Sequence, residues 1–183
     1  MRWGRGRGRR GGTRSVIVRS LQTVLDYDCE WAFRQSWMTV NDAPEWDPDI
    51  LSTRILRNAS ESCRVFRAVT WPRALGLVAS RDFVAVECHE RVGEARYWAV
   101  VGVEAPEEAP EEGVVRGRVD PGGGFAFSPH GEDGKKTLFR LVPMMELDVP
   151  FLPRAFVKKL LLARQRKFVA LLRDRLSDLH FLS

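Results

Sequence analysis

Between Ala155 and Leu176 the chain reads AFVKKLLLARQRKFVALLRDRL, with Phe156, Val157, Leu160, Leu161, Phe168, Leu171, Leu172 and Leu176 recurring at three- and four-residue steps. That spacing predicts one continuous helix with a broad apolar face, and Pro153 stands where a first-turn proline is tolerated. Lys158, Lys159, Arg164, Arg166, Lys167, Arg173 and Arg175 fall mostly off that face. A helix this apolar on one side has to be covered, so the rest of the chain must supply a complementary surface. What precedes it is a series of short β-like runs separated by turn residues: Ile50–Leu56, Cys63–Thr70, Phe83–His89, Tyr97–Val103, Gly113–Val119, Gly124–Phe127 and Thr137–Leu147. Their close spacing, with no helix between them, points to an antiparallel sheet. Further upstream, Leu21, Val24, Leu25, Cys29, Ala32 and Phe33 predict a helix over about 20–38, ended by Asn41-Asp42-Ala43-Pro44. The expected class is α+β: a helix, an antiparallel sheet, and a long C-terminal helix packed on the sheet.

Charge is distributed unevenly along this plan. Residues 1–14 carry six arginines and no acid, and residues 154–183 carry eight bases against Asp174 and Asp178, so a net charge of +5 conceals an acidic body. That argues against a protein basic throughout, of the kind that wraps nucleic acid. The Arg/Gly-rich segment 1–14 reads as a flexible tail, with weak RNA contact as its sharpest alternative; a mitochondrial leader is disfavoured because the glycines spoil an amphipathic helix. Residues 15–183 are then a single domain. No apolar stretch approaches the roughly 18 residues that cross a bilayer. Cys29, Cys63 and Cys88 are an odd count without CxxC spacing, which suits reduced buried thiols and a reducing compartment.

Catalytic chemistry finds little support. Cys88 and His89 are adjacent on a strand, so their side chains leave opposite faces and cannot form a thiolate–imidazolium couple. Ser128-Pro-His130 lies in a turn without an orienting acid, and Gly122-Gly-Gly124 lacks the lysine and following helix of a phosphate loop. The acidic loop 104–113 reads as solvated. No enzyme activity, cofactor or metal is expected.

Several motifs together carry a family resemblance. Trp46-Asp-Pro48, Gly76-Leu-Val-Ala-Ser-Arg-Asp-Phe-Val84, Gly113-Val-Val-Arg116 and Val149-Pro-Phe-Leu-Pro-Arg154, the last leading into the long helix, resemble the START lipid-transfer domain, and its sterol-carrying branch in particular. The resemblance covers roughly residues 20–176. It implies a helix-grip fold, in which a curved antiparallel sheet wraps a long C-terminal helix and encloses an apolar tunnel for one lipid. It also implies that one sheet edge is incomplete at the N-terminus. The function it implies is the binding of a sterol, or alternatively a phospholipid, with transfer between intracellular membranes by a monomer; a lipid-sensing module without net transfer is the alternative. The cytoplasm, at membrane surfaces, is the implied location.

On this reading Phe83, Ala85 and Glu87 share the inner face of a strand, Trp98 stands where the family places a tunnel-lining residue, and Phe125 and Phe127 face the lipid. Phe156, Val157, Leu160 and Leu161 form the lid. Ordinary core packing is the competing account of the aromatic positions. Lys158, Lys159, Arg164, Arg166 and Lys167 are candidates for docking on an anionic membrane. The acid–arginine pair that meets inside the tunnel of sterol-carrying relatives falls on Ala68 and Glu87, so it is not retained. A lone buried carboxylate needs a partner, a lipid hydroxyl, a proton or water; Arg67 is the neighbouring candidate, although regular alternation would point it to the other face. Arg116 is expected in a structural ion pair.

Overall fold

The computed structural model describes residues 20–73, 76, 78–119, 121–142, 145–146 and 153–182. The tail at 1–14 and the stretch 149–152 of the Val149–Arg154 motif lie outside the described residues.

Strand β1 (Leu21–Leu25) is followed by helix α1 (Cys29–Met38) and the single turn α2 (Ala43–Trp46). The expected helix over 20–38 is therefore corrected: its first part is a strand. The apolar spacing of Leu21, Val24 and Leu25 is compatible with both periods, and Leu21–Leu25 takes its hydrogen bonds from residues 137–141. Asp28 sets the true helix start, its Oδ1 accepting from the Trp31 amide at 2.9 Å.

Strands β2 (Ile50–Asn58), β3 (Cys63–Thr70), β4 (Arg81–Val92) and β5 (Ala95–Gly102) follow, then the two-residue strands β6 (Val115–Arg116) and β7 (Arg118–Val119). The run expected over Gly113–Val119 is thus broken at Gly117, where a Cβ would stand 2.2 Å from the Phe83 ring. Strands β8 (Gly123–His130), β9 (Lys136–Val142) and β10 (Met145–Glu146) precede helix α3 (Arg154–Phe181). The sheet runs β1-β9-β8-β5-β4-β3-β2, antiparallel between all neighbours, with β6 added parallel to β4; β10 pairs with β7 separately. This curved antiparallel sheet with a long C-terminal helix is the expected architecture.

The core lies between the sheet, α1 and the C-terminal half of α3. Leu25, Phe33, Phe127, Phe139, Leu172 and Leu176 are buried there, and Val169 joins them. Phe127 stands edge-on to both Phe33 and Phe139, at 5.7 and 5.0 Å between ring centres.

Register also corrects the cysteine expectation. Cys63 and Cys88 face each other across β3 and β4 and are joined in a disulfide, while Cys29 is free and buried. Twenty-five residues of separation hid the pairing. With it goes the argument from cysteine usage for a reducing compartment.

Candidate functional site

Strand β4 organises the site, since both of its faces are buried over Asp82–Ala85. Phe83, Ala85 and Glu87 are buried on its inner face, as expected. Glu87 finds its partner directly opposite in the register, where Arg64 of β3 sits. Arg64 Nε donates to Glu87 Oε1, Trp98 Nε1 donates to Oε2 at 3.0 Å, and Arg64 Nη2 donates to the Trp37 carbonyl at 2.8 Å. The guanidinium carbon lies 3.7 Å from the centre of a Trp37 ring. Burial pushes the Glu87 carboxyl above its ordinary value, outweighing the Arg64 charge and the two hydrogen bonds.

The proposed Arg67–Glu87 pairing is therefore wrong. Arg67 points to the other face, where it holds the fully buried Asp82 through Nε and Nη2, both at 3.1 Å, and reaches Glu108 Oε2 at 3.1 Å. Arg116 completes this cluster at 3.3 Å from Asp82, the structural ion pair expected of it. Arg54 also binds Glu108, at 2.7 Å. The loop 104–113 is thus pinned to the sheet at Glu108, while most of its other residues are exposed, as the solvated reading expects.

Trp98, Phe125 and Phe127 lie in a chain of aromatic contacts. Trp37 and Trp98 are 5.0 Å apart, Trp98 and Phe125 4.7 Å, and Phe125 and Phe168 of α3 5.9 Å. Among the described residues a cavity opens further along the sheet. It has a volume of about 360 Å³ and is bounded by the ends of β3 and β4, the bridge between Arg73 and Val78, and the N-terminal half of α3. Of the expected lipid contacts it takes in Phe83, Leu160 and Leu161, and adds Thr70, Pro72, Val78 and Ala163. Val157 is buried, whereas Phe156 is largely exposed.

The expected membrane-docking bases divide in the same way. Lys158, Lys159 and Arg166 are exposed. Arg164 reaches back to the Trp46-Asp47-Pro48 motif, pairing with the buried Asp47 and placing Nε 3.3 Å from Asp49 Oδ2, and Lys167 Nζ lies 2.9 Å from Asp49 Oδ1. These two bases tie the helix to the α2–β2 turn, Arg164 from a largely buried side chain and Lys167 from an exposed one. Burial pushes the Asp49 carboxyl up, but the Lys167 hydrogen bond and the charges of Arg164, Arg73 and Lys167 outweigh it and hold it below the usual carboxylate value. Sequence reasoning missed Arg64, Asp49 and Arg73, and saw Asp47 only as part of the Trp46-Asp-Pro48 motif, without its pairing to Arg164. The signal for Arg64 was register, and for the rest a tertiary approach that no local pattern records.

A family model described as the START domain matches residues 13–177. The mitochondrial steroidogenic acute regulatory protein of Salvelinus fontinalis is 26% identical over 161 residues, which is 88% of this chain and 55% of that protein. The chain thus spans about half the length of the curated relatives it matches. Human StAR-related lipid transfer protein 5 shares the fold with a TM-score of 0.74 at 23% identity, over 87% of this chain and 74% of that one. The Zhui aromatase/cyclase from Streptomyces sp. R1128 superimposes with a TM-score of 0.55 at 12% identity, over 87% and 91%.

Proposed function

The chain belongs to the START domain family, and from that premise we propose that it holds one lipid in the cavity between β3, β4 and the N-terminal half of α3, and carries it between membranes as a monomer. The observation that carries the reading is the cavity itself. Its volume of about 360 Å³ falls within the roughly 300–1,000 Å³ of ligand pockets. Val78, Phe83, Leu160 and Leu161 offer an apolar wall, and each Å² of apolar lipid surface removed from water contributes about 25 cal/mol. A sterol is the favoured body, supported by the name of the curated relative; a phospholipid chain is the alternative.

The reading is of a carrier. An aromatase/cyclase shares this fold, so architecture alone does not decide between carriage and catalysis. What supports carriage is the lining: among the described residues it includes no histidine or cysteine, and its carboxylate, Asp49, is engaged by Lys167 and Arg164. Among the described residues no helix is long and apolar enough to cross a membrane. A cytoplasmic carrier docking transiently at membrane surfaces accords with that.

Saturation binding of fluorescent sterols and phospholipids to the purified full chain tests the binding half, with one lipid per monomer expected. Exchange of labelled lipid between two vesicle populations tests transfer. Uptake without exchange would favour a lipid-sensing module, and no uptake by the folded protein would overturn the reading.

A further inference from the structure

Among the described residues, the cavity wall carries more bases than acids: Arg73, Arg81, Arg164 and Lys167 line it together with one carboxylate, Asp49. Asp49 is already shared among three of them: Lys167 Nζ at 2.9 Å, Arg164 Nε at 3.3 Å and Arg73 Nη2 at 4.0 Å. Asp47 takes the Nη2 of Arg164. Two N–H-bearing nitrogens are still left over, because Arg73 Nε and Arg164 Nη1 are buried without a hydrogen-bond partner among the described residues. Burial first, and the Arg164 charge second, pull Arg73 below the ordinary arginine value despite Asp49 and Asp47. Buried guanidinium nitrogens are ordinarily satisfied, and leaving them unpaired is costly.

A neutral lipid brings one hydroxyl to such a wall and accepts few of these donors. A carboxylate, sulfate or phosphate brings several acceptor oxygens and a negative charge, and guanidinium forks bind such groups through short, charge-assisted bonds. Resting on the reading that this cavity is the lipid site, we propose that its cargo is an anionic amphiphile. The apolar body lies against Val78, Phe83, Leu160 and Leu161, and the anionic head is held by Arg73 and Arg164, with Lys167 at the rim. Specificity in this domain then resides in head-group charge at the α3 clamp, far from the Glu87–Arg64 pair, whose carboxylate oxygens already have donors.

The test uses lipids matched in body and differing in head: cholesterol against cholesterol sulfate, and oleyl alcohol against oleate. They are titrated into the full chain from cyclodextrin, with inorganic sulfate as a separate competitor. The anionic member of each pair should bind at least ten-fold tighter, and R73Q should bring the two towards parity. K167Q, at a half-exposed rim position, should narrow the gap as well and carries the test if R73Q does not fold. Equal affinity, or a neutral preference, would overturn the inference while leaving the lipid reading intact. Binding of neither member would overturn both. Inorganic sulfate competing as well as the sterol sulfate would show a simple anion site and overturn the amphiphile.

Discussion

Glu87 is a carboxylate surrounded by aromatic rings, and its cost is met by the residue directly across the strand pair. Truncating Arg64 would leave that charge buried and uncompensated, a change that typically destabilises by about 3–5 kcal/mol. R64M should therefore lower the denaturant midpoint sharply, whereas R64M combined with E87L should recover most of the loss, since apolar replacement of a whole buried pair is often neutral. Equilibrium unfolding at neutral pH measures both. His89, two residues on, is packed edge-on against Phe33 and Trp37 at 4.9 and 4.6 Å. Burial, with the charges of Arg96 and Arg64 adding to it, draws its pKa below the ordinary 6.5. The unfolded chain thus takes up this proton at higher pH than the folded one, so the His89 contribution is present above about 6.5 and is lost as pH falls through the folded value. Thermal melts between pH 7 and 5 should show that loss, and His89→Phe, which keeps the edge-on ring contacts, should flatten it.

Elements meet around the cavity at very close range. Gly117 separates β6 from β7, and its missing Cβ is what lets the Phe83 ring lie where it does, with ring atoms 2.2 to 2.7 Å from where that Cβ would be. Gly117→Ala must push the ring, and the cavity is the open side. The expected outcome is a loss of lipid affinity of ten-fold or more with a folded protein, read by lipid titration and circular dichroism; unchanged affinity would remove Phe83 from the wall. This scale also shows what a linear sequence exposes. The strands from Cys63 to Gly102 were legible because alternation and turn residues agree there, and α3 because 28 residues hold one helical pattern. The Leu21–Leu25 spacing fits a helix as well as a strand, and its partner, β9, is more than a hundred residues away. The candidate site was legible only at Phe83, Leu160 and Leu161; the basic wall and the Asp47–Arg164 clamp arise from tertiary approach, which leaves no periodic trace.

At the scale of the whole molecule, charge is partitioned by use. Lys158, Lys159 and Arg166 stay exposed on α3 while Arg164 and Lys167 are committed to Asp47 and Asp49. If α3 docks on anionic bilayers, the three exposed bases should act at about 1 kcal/mol each near the surface, within a Debye length of about 8 Å at physiological salt. K158Q/K159Q/R166Q should then weaken co-sedimentation with phosphatidylserine vesicles at low salt, and raised salt should erase the difference; equal sedimentation at low salt would refute docking by this flank. The outer strand β2 carries register shifts at Ile50/Ser52 and Ile55/Arg57, with exposed Arg54 and Arg57 on the same strand, devices that discourage strand addition by another molecule. The opposite edge has a different history. Among the described residues Leu21–Leu25 has its ladder with residues 137–141, and Leu25, Cys29 and Phe33 share a core with Leu172 and Leu176. Closure between such remote segments is entropically expensive and places folding among the slower topologies, on the order of milliseconds to seconds. During synthesis the early strand must wait unpaired while the central hairpins form, and a chain interrupted before residue 136 leaves Leu21–Phe33 with no core to enter.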